Sequence, residues 1–303
     1  MADSLPTGVR RMAQRGPDWA AWVAGLPRLR EEILAEWQLT PDGESVNGFC
    51  SLVLPVRRPG GGPAMLKLAF PDEESEHEAL ALQHWRGRGA VGLIRAAPDR
   101  RALLLERLHP EDLQSLWDIE ATEIVAGLYA QIHVPAPPRL RTLTSYVERW
   151  SRELSDLPRS APLPPRLVAQ AAGLGAEFSG DAASTGTLIH TDLHYANVLA
   201  ADRAEWLVID PKPLNGDPHY EVAPLLWNRF EELTGRVRDG IRQRFHTAVD
   251  VAGLDEARAR DWVIVRMLTN ALWRLQDPPG TQRLTSTDDF LTMCVTVAKA
   301  VQD

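Results

Sequence analysis

The segment from His190 to Asn197 carries the side chains with the clearest chemistry in this chain. It has the spacing H-x-D-x-x-x-x-N, and the short apolar run that follows it ends in Asp210. In this arrangement Asp192 can accept the proton of a substrate hydroxyl, while Asn197 and Asp210 offer the oxygen ligands that Mg²⁺ prefers. One base and two hard ligands are what an in-line phosphoryl transfer requires.

The residues around this segment predict a β-hairpin. Val198–Ala200 leaves the segment as a short apolar strand, a polar turn covers 201–205, and Trp206–Ile209 forms the second strand. Such a hairpin puts Asn197 and Asp210 at the same edge. The order of groups is that of the kinase catalytic loop and its metal-binding aspartate.

Two other interpretations of the segment stay open at this point. The first is a solvated loop with scattered acids. The second takes His190, Asp192 and His194 as the metal ligands of a hydrolase. The hydrolase interpretation gives no role to Asn197 or Asp210, and the sequence has no second His/Asp cluster to complete the metal shell.

The composition is that of a globular protein with one large or two modest domains. The 303 residues are 44% hydrophobic and 24% charged, and the net charge of -8 argues against a nucleic-acid partner. Cys50 and Cys294 lack metal spacing, which indicates buried thiols in a reducing compartment. The sequence has no apolar signal segment and no run of about 20 apolar residues. We therefore expect a cytoplasmic protein with no membrane contact and no obligate protein partner.

A lysine in the first third of the chain lies inside an apolar strand. Residues 50–56 and 64–70 read as two strands joined by a Pro/Gly turn, and Lys67 interrupts the second. An edge residue facing solvent would give the same pattern. The alternative is a lysine that binds the α- and β-phosphates of a nucleotide and pairs with a glutamate of the following acidic helix. Glu78 is the first choice for that partner and Glu74 the second.

The other candidate nucleotide contacts carry weaker signals. The glycine-bearing hairpin over 42–51 can cover phosphates with its backbone and with the hydroxyl of Ser51, although it matches neither G-x-G-x-x-G nor a Walker A motif. The strand over 103–105 leads into a linker. Its backbone, from Glu106 to Leu108, can hydrogen-bond an adenine, or the segment can be a linker alone.

The remainder of the chain predicts mainly helices. A first helix covers 18–38, and an acidic helix begins at Asp72. The later helices are expected over 111–132, 139–157, 166–178, 219–252, 255–276 and 286–301. We predict an N-terminal nucleotide-binding lobe over 1–107, and a helical C-terminal lobe over 108–303 that contains the catalytic loop and the substrate site.

Several segments resemble the aminoglycoside phosphotransferases, in particular the streptomycin 6-kinase and hydroxyurea phosphotransferase branch. The likeness runs through most of the chain, and its most distinctive part is the Ile-Asp-Pro of residues 209–211 with Gly-Asp-Pro at 216–218, in place of the Asp-Phe-Gly of protein kinases. The other matching segments are 22–27, 51–55, the Lys67 strand, 103–108, 132–137, 190–199 and 270–273.

The resemblance implies an α+β, bilobal protein-kinase-like fold, with a small antiparallel sheet in the first lobe. It also implies ATP and Mg²⁺ as cofactors and transfer of the γ-phosphate to an antibiotic hydroxyl. In that scheme Asp192 is the base, Asn197 and Asp210 bind the metal, and Lys67 binds phosphate with Glu78 as its partner. The helix holds several glutamates, so the identity of that partner stays open.

The acceptor expected from this branch is a streptomycin-like antibiotic. Its guanidinium groups suit carboxylates, and the candidate substrate contacts are Asp217, Glu221 and Asp277. Hydroxyurea, a nucleoside antibiotic or a metabolite are alternative acceptors, and a non-catalytic nucleotide-binding module is the alternative that involves no chemistry.

Overall fold

The computed structural model describes residues 5–277 and 285–302. They form two compact units that divide after His109, with residues 201–205 grouping with the first unit. Among the described residues, no helix is both long enough and apolar enough to cross a membrane.

The first unit contains an antiparallel sheet. Its strands follow the order β1-β3-β4-β6-β5, and β2 pairs with β3. The strands are β1 (Thr40–Pro41), β2 (Val46–Asn47), β3 (Ser51–Arg57), β4 (Pro63–Ala69), β5 (Leu93–Ala97) and β6 (Ala102–Leu105). The helices are α1 (Thr7–Met12), α2 (Pro17–Glu36) and α3 (Glu78–Trp85).

The core of the first unit lies between this sheet and α2. Leu26 and Ile33 of the helix are fully buried, and so are Leu66 and Leu54 of the sheet. The alternation of strand side chains explains why one set of residues fills this core. Helix α2 continues through Pro27, although proline removes one backbone hydrogen bond.

The acidic helix begins later than its charge pattern predicts. The start expected near Asp72 is wrong, since α3 begins at Glu78. The Asp72 carboxylate accepts the backbone N–H of Ser75 at 2.7 Å, and the Ser75 hydroxyl donates to the carbonyl of Phe70 at 3.2 Å. Such local side-chain bonds offer the backbone an alternative to the helix.

The second unit is mainly helical. Its helices are α4 (Asp118–Ile132), α5 (Leu143–Ser155), α6 (Pro165–Gly180), α7 (Ala223–Trp227), α8 (Val237–Ala252), α9 (Glu256–Gln276) and α10 (Thr287–Ala300). The helix expected over 219–252 is wrong as a single element, because Arg229 has a left-handed backbone (φ 57°) between α7 and α8. The helix expected from 111 begins at Asp118, since Asp112 caps a short 3-10 turn instead.

Two small sheets accompany these helices. β9 (Val198–Ala200) and β10 (Trp206–Val208) form the predicted hairpin, with Val198 opposite Val208. β8 (Thr187–Ile189) is the middle strand of a second sheet, between β7 (Val134–Pro135) and β11 (Leu214–Gly216). Ile189 at the end of β8 is fully buried in a core shared with α5, α6 and α9. This anchors the chain just before the H-x-D segment.

Candidate active site

The β9–β10 hairpin brings Asn197 and Asp210 to one edge. Asn197 directly precedes β9, and Asp210 follows β10 after a single residue. The N–H of Ile209 donates to the carbonyl of Asn197 at 2.9 Å, which extends the ladder to the two candidate metal ligands. Asn197 and Asp210 therefore lie at the same end of the β9–β10 hairpin.

The Asn197 side chain is oriented by the same loop that carries the candidate base, Asp192. Its Nδ2 donates to the backbone carbonyl of Asp192 at 2.8 Å. The amide oxygen of Asn197 is then the side-chain atom that can bind a cation. With the Asp210 carboxylate it forms a pair of hard oxygen donors, which suits Mg²⁺ bound with phosphate and water ligands. The residues at this edge fit a magnesium ion.

Two residues of the site have backbones in the left-handed region. Thr191 has φ 65° and Asp210 has φ 56°. This conformation is uncommon for residues other than glycine, above all for a β-branched one. The Thr191 hydroxyl donates to the carbonyl of Lys212 at 2.7 Å, and the N–H of Lys212 donates to the carbonyl of His190 at 3.0 Å. These bonds tie the turn at Asp192 to the turn at Asp210.

A buried carboxylate accepts hydrogen bonds from the turn that contains Thr191. Glu221 is 0% exposed, and its two oxygens accept the backbone N–H groups of His190, at 3.0 Å, and of Thr191. A charged acceptor makes stronger hydrogen bonds than a neutral one. Glu221 therefore positions Thr191, the residue before the candidate base Asp192.

The charge on Glu221 is maintained by its neighbours. Burial raises the pKa of this carboxyl, but the contacts with His133 and His190 more than offset burial, so the pKa lies below its usual value. His133 Nε2 lies 3.5 Å from a Glu221 oxygen. Glu221 is thus ionised at neutral pH.

The two histidines of the segment serve the loop's own structure. His190 is 0% exposed, its Nε2 lies 2.9 Å from the carbonyl of Ile209, and its Nδ1 accepts the N–H of Asp192 at 3.3 Å. His194 Nδ1 accepts the N–H of Ala196 at 3.3 Å, and burial lowers the pKa of His194. No cluster of three or more His, Cys, Asp or Glu able to hold a metal exists within 5–277 and 285–302. The hydrolase interpretation is therefore not supported.

In the first unit, Lys67 contacts Glu78. Lys67 Nζ lies 2.6 and 2.7 Å from the two carboxylate oxygens, and the side chains are 8% and 3% exposed. Lys67 sits on β4 between Val53 of β3 and Leu103 of β6, so it belongs to an inner strand and not to an edge. Its role in phosphate binding stays a prediction.

The glycine-bearing segment is the turn of the β2–β3 hairpin. The N–H of Gly48 donates to the carbonyl of Ser51 at 2.9 Å. A Cβ on residue 48 would lie 2.4 Å from the Ser51 hydroxyl oxygen, so a side chain there would require that hydroxyl to move. Ser51 is buried within the hairpin at 5% exposure. Its contact with a phosphate stays a prediction.

The linker candidates have definite partners inside the first unit. The Glu106 N–H donates to the carbonyl of Gly92 at 2.8 Å, and its carboxylate accepts the N–H of Gly92 and the guanidinium of Arg203. The N–H of Glu106 is thus engaged, and Leu108 lies half-buried just beyond the sheet. Adenine binding by this linker stays a prediction.

The structure gives two of the three candidate substrate acids another task. Glu221 accepts the backbone N–H groups of His190 and Thr191, as described above. Asp217 is 1% exposed and accepts hydrogen bonds from Arg258 Nε and Trp262 Nε1, both at 2.6 Å. Burial raises the pKa of Asp217, but its hydrogen bonds with His219 and Trp262 leave the pKa below the usual value. Both acids are buried within the fold, and their contact with a substrate stays a prediction.

The third candidate and one missed residue complete the site. Asp277 is half-buried, with its carboxylate 3.5 Å from Arg274 Nε, and its substrate role stays a prediction. Lys212, which the sequence interpretation left out, places its Nζ 3.3 Å from the Asp210 carboxylate. A lysine between two prolines, two residues after a candidate metal ligand, was the signal available for it.

Comparison with known proteins shows the family of this chain. The model of the aminoglycoside/hydroxyurea antibiotic resistance kinase family matches residues 36–278. The chain is 41% identical over 272 residues to a streptomycin 6-kinase of Streptomyces glaucescens, covering 86% of this chain and 87% of the relative. It is 40% identical over 266 residues to a hydroxyurea phosphotransferase of Kitasatospora aureofaciens, covering 84% and 75%.

A solved structure shares the fold. It is a thermostable mutant of an aminoglycoside phosphotransferase in a ternary complex with ADP and hygromycin B, with a TM-score of 0.58 and 15% identity, and the likeness covers 89% of this chain and 97% of that one. The predicted protein-kinase-like fold class is thereby confirmed, and so is the predicted family. The chain belongs to the aminoglycoside/hydroxyurea antibiotic resistance kinases.

Proposed function

We propose that this protein transfers the γ-phosphate of ATP to a hydroxyl group of a streptomycin-like antibiotic, with Mg²⁺ as its metal. The observation that carries the proposal is the β9–β10 hairpin, where Asn197 and Asp210 share one edge and Asn197 is bonded to the residue that supplies the base. The 41% identity to a streptomycin 6-kinase supports the choice of acceptor.

Asp192 has the role of general base. Its carboxylate orients the acceptor hydroxyl and takes its proton, while the hydroxyl oxygen forms a bond to the γ-phosphorus. The bond from that phosphorus to the bridging oxygen breaks, and ADP leaves with its electron pair. Since the transition state of such transfers is loose, most of the rate enhancement comes from positioning and charge neutralisation.

Asn197 and Asp210 would hold the Mg²⁺, which neutralises charge on the phosphates when bound. Lys67, fixed by Glu78, is the candidate ligand of the α- and β-phosphates. Glu221 keeps Thr191, the residue before Asp192, in its left-handed form, so that Asp192 stays aligned for the acceptor hydroxyl. We place the reaction in the cytoplasm, in keeping with its need for ATP.

The acceptor side of the proposal rests on fewer residues. Asp217 and Glu221 are occupied within the fold. Of the three candidate substrate acids, Asp277 is the one that we expect to bind a guanidinium group of the acceptor. Hydroxyurea is the second candidate acceptor, because the identity to a hydroxyurea phosphotransferase, 40%, is nearly the same.

A product analysis tests the proposal. The protein would be incubated with Mg²⁺ and ATP and, separately, with streptomycin, other aminoglycosides, hydroxyurea, nucleoside antibiotics and choline, and the products weighed by mass spectrometry. We expect a gain of one phosphate on streptomycin. A gain on hydroxyurea alone would favour the second candidate, and no gain on any antibiotic would contradict the proposed function.

A further inference from the structure

Lys212 is a nearly buried cation next to a candidate metal ligand. Its Nζ lies 3.3 Å from Asp210 Oδ1, and the Lys212 side chain is 14% exposed while that of Asp210 is 27% exposed. A lysine is seldom buried this far unless its ammonium has an anionic partner. One such partner here is the carboxylate of Asp210, to which the proposed function gives Mg²⁺.

The backbone of Lys212 is hydrogen-bonded to the turn over residues 190–192. Its N–H donates to the carbonyl of His190 at 3.0 Å, and its carbonyl accepts the Thr191 hydroxyl at 2.7 Å. Pro211 and Pro213 flank it, and the ring of a proline sets the backbone angle φ. The backbone position from which the Lys212 side chain extends is therefore fixed relative to the loop that contains Asp192.

The residue type is informative in this chain. Only three of the 33 Lys and Arg residues are lysine, namely Lys67, Lys212 and Lys299. Lys67 is paired with Glu78 on β4, and Lys299 is exposed on α10. A sequence that uses arginine almost everywhere thus has a compact ammonium at Lys212. Lysine binds phosphate as a point charge on a flexible stem, whereas arginine needs a wider, planar arrangement.

Charge balance indicates what this ammonium does when the site is loaded. A divalent cation on Asp210 and an ammonium beside it repel each other, and a bound polyphosphate would bring several negative charges that attract both. The charge of the transferred group is spread over three oxygens that need neutralising. We propose that Lys212 is a catalytic residue that binds the terminal phosphoryl group of ATP and stabilises it during transfer; this rests on the proposed function.

Nucleotide binding provides a test that does not depend on turnover. Calorimetry would give the affinities of the Mg²⁺ complexes of ADP and of the non-hydrolysable analogue AMP-PNP for the unaltered protein and for Lys212→Met. We expect the variant to lose about tenfold or more in affinity for AMP-PNP, the effect of one charge-assisted bond, with a change of about twofold or less for ADP. Lys212→Arg should keep part of the preference for AMP-PNP.

Lys299→Met is the matched control, since it removes an exposed lysine and should change neither affinity. If Lys212→Met does not fold, Lys212→Gln serves in its place, because it keeps most of the stem and removes the charge. Equal losses for ADP and AMP-PNP, or no loss at all, would show that Lys212 merely balances the charge of Asp210 and would overturn the inference.

The inference and the proposed function fail in different ways. If the unaltered protein binds neither nucleotide in the presence of Mg²⁺, the proposed function is contradicted and the inference falls with it. If the protein binds both and phosphorylates an antibiotic, but Lys212→Met keeps the full preference for AMP-PNP, only the role of Lys212 is refuted. Under the proposal, Lys212→Met should also lower kcat about a hundredfold, as does the loss of one preorganised donor to a transition state.

Discussion

At the scale of single residues, some charged side chains of this protein are buried. The contact between Lys67 and Glu78 is a buried ion pair, with both carboxylate oxygens within 2.7 Å of the ammonium. Removing one member of a buried pair leaves an uncompensated charge, whereas replacing both members with apolar groups is often neutral. Stability and nucleotide binding can therefore be separated at this pair.

We expect Glu78→Gln to lower the free energy of unfolding by about 3 kcal/mol, because Lys67 stays buried with a weaker partner. The double variant Lys67→Met/Glu78→Leu should regain most of that stability and still bind ATP poorly. Urea denaturation and ATP titration of the two variants would check this. A double variant that binds ATP normally would remove Lys67 from the phosphate site.

At the scale of elements, the turn over residues 190–192 depends on a carboxylate from a distant segment. Glu221 lies 31 residues beyond His190, yet its oxygens accept the N–H groups of the turn. Asp217, one turn earlier in sequence, is just as buried but bonds to α9 through Arg258 and Trp262. The two acids are thus a natural pair for comparison.

Glu221→Gln should destabilise the protein by about 2 kcal/mol, because a charged acceptor of two bonds is lost. It should also lower kcat about tenfold or more, since a displaced catalytic group loses alignment. Asp217→Asn should cost similar stability but leave kcat within about twofold. Steady-state kinetics on streptomycin would decide. A rise in KM for streptomycin in Asp217→Asn, with kcat unchanged, would restore Asp217 as a substrate contact.

Local signals in the sequence were sufficient for the elements that carry the site. The β9–β10 hairpin, with its turn and its placement of Asn197 and Asp210, follows from apolar runs of a few residues on either side of a polar turn. The order of strand and helix likewise pointed to Glu78 as the partner of Lys67. Each of these inferences needs only neighbours in sequence.

Contacts between residues far apart in the sequence account for the structural features that the sequence did not predict. An acid such as Glu221 is usually exposed, and only the turn folded against it explains its burial. Strands β7 and β11 have two and three residues and exist because β8 pairs with both. The delayed start of α3 reflects competition by Asp72 and Ser75.

For the whole molecule, buried acids shape the response to pH. The pKa of Glu221 lies below its ordinary value of 4.5, and that of Asp217 lies below 3.8. Between the ordinary and the folded pKa the unfolded chain binds more protons than the folded one. The stability that each acid contributes is therefore complete above its ordinary pKa, and it is lost as the pH falls through the folded pKa.

The gap in unfolding free energy between the unaltered protein and Glu221→Gln should consequently be largest near neutral pH. It should narrow as the pH falls below 4.5, the ordinary pKa of this carboxyl. Urea denaturation at several pH values between about 3 and 7 would measure it. A gap that stays constant across this range would mean that the ionised form of Glu221 contributes nothing.

A bound nucleotide should stabilise the folded molecule as a whole. At about 100 times its dissociation constant, the Mg²⁺ complex of AMP-PNP should add about 2.7 kcal/mol, which corresponds to a rise of several degrees in Tm. Chelation of the metal, or Asp210→Asn, should remove most of that rise. Differential scanning fluorimetry with and without EDTA would measure it. An equal rise without the metal would argue against a magnesium site at Asn197 and Asp210.

The central claim is that Asp192 is the base of a phosphoryl transfer to an antibiotic hydroxyl. The most direct measurement is the rate at which phosphorylated streptomycin forms, followed by mass spectrometry, for the unaltered protein and for Asp192→Asn. We predict a loss in kcat of about a thousandfold, within the range for general bases, with the affinity for AMP-PNP unchanged. A rate for Asp192→Asn within about tenfold of the unaltered protein would contradict the account.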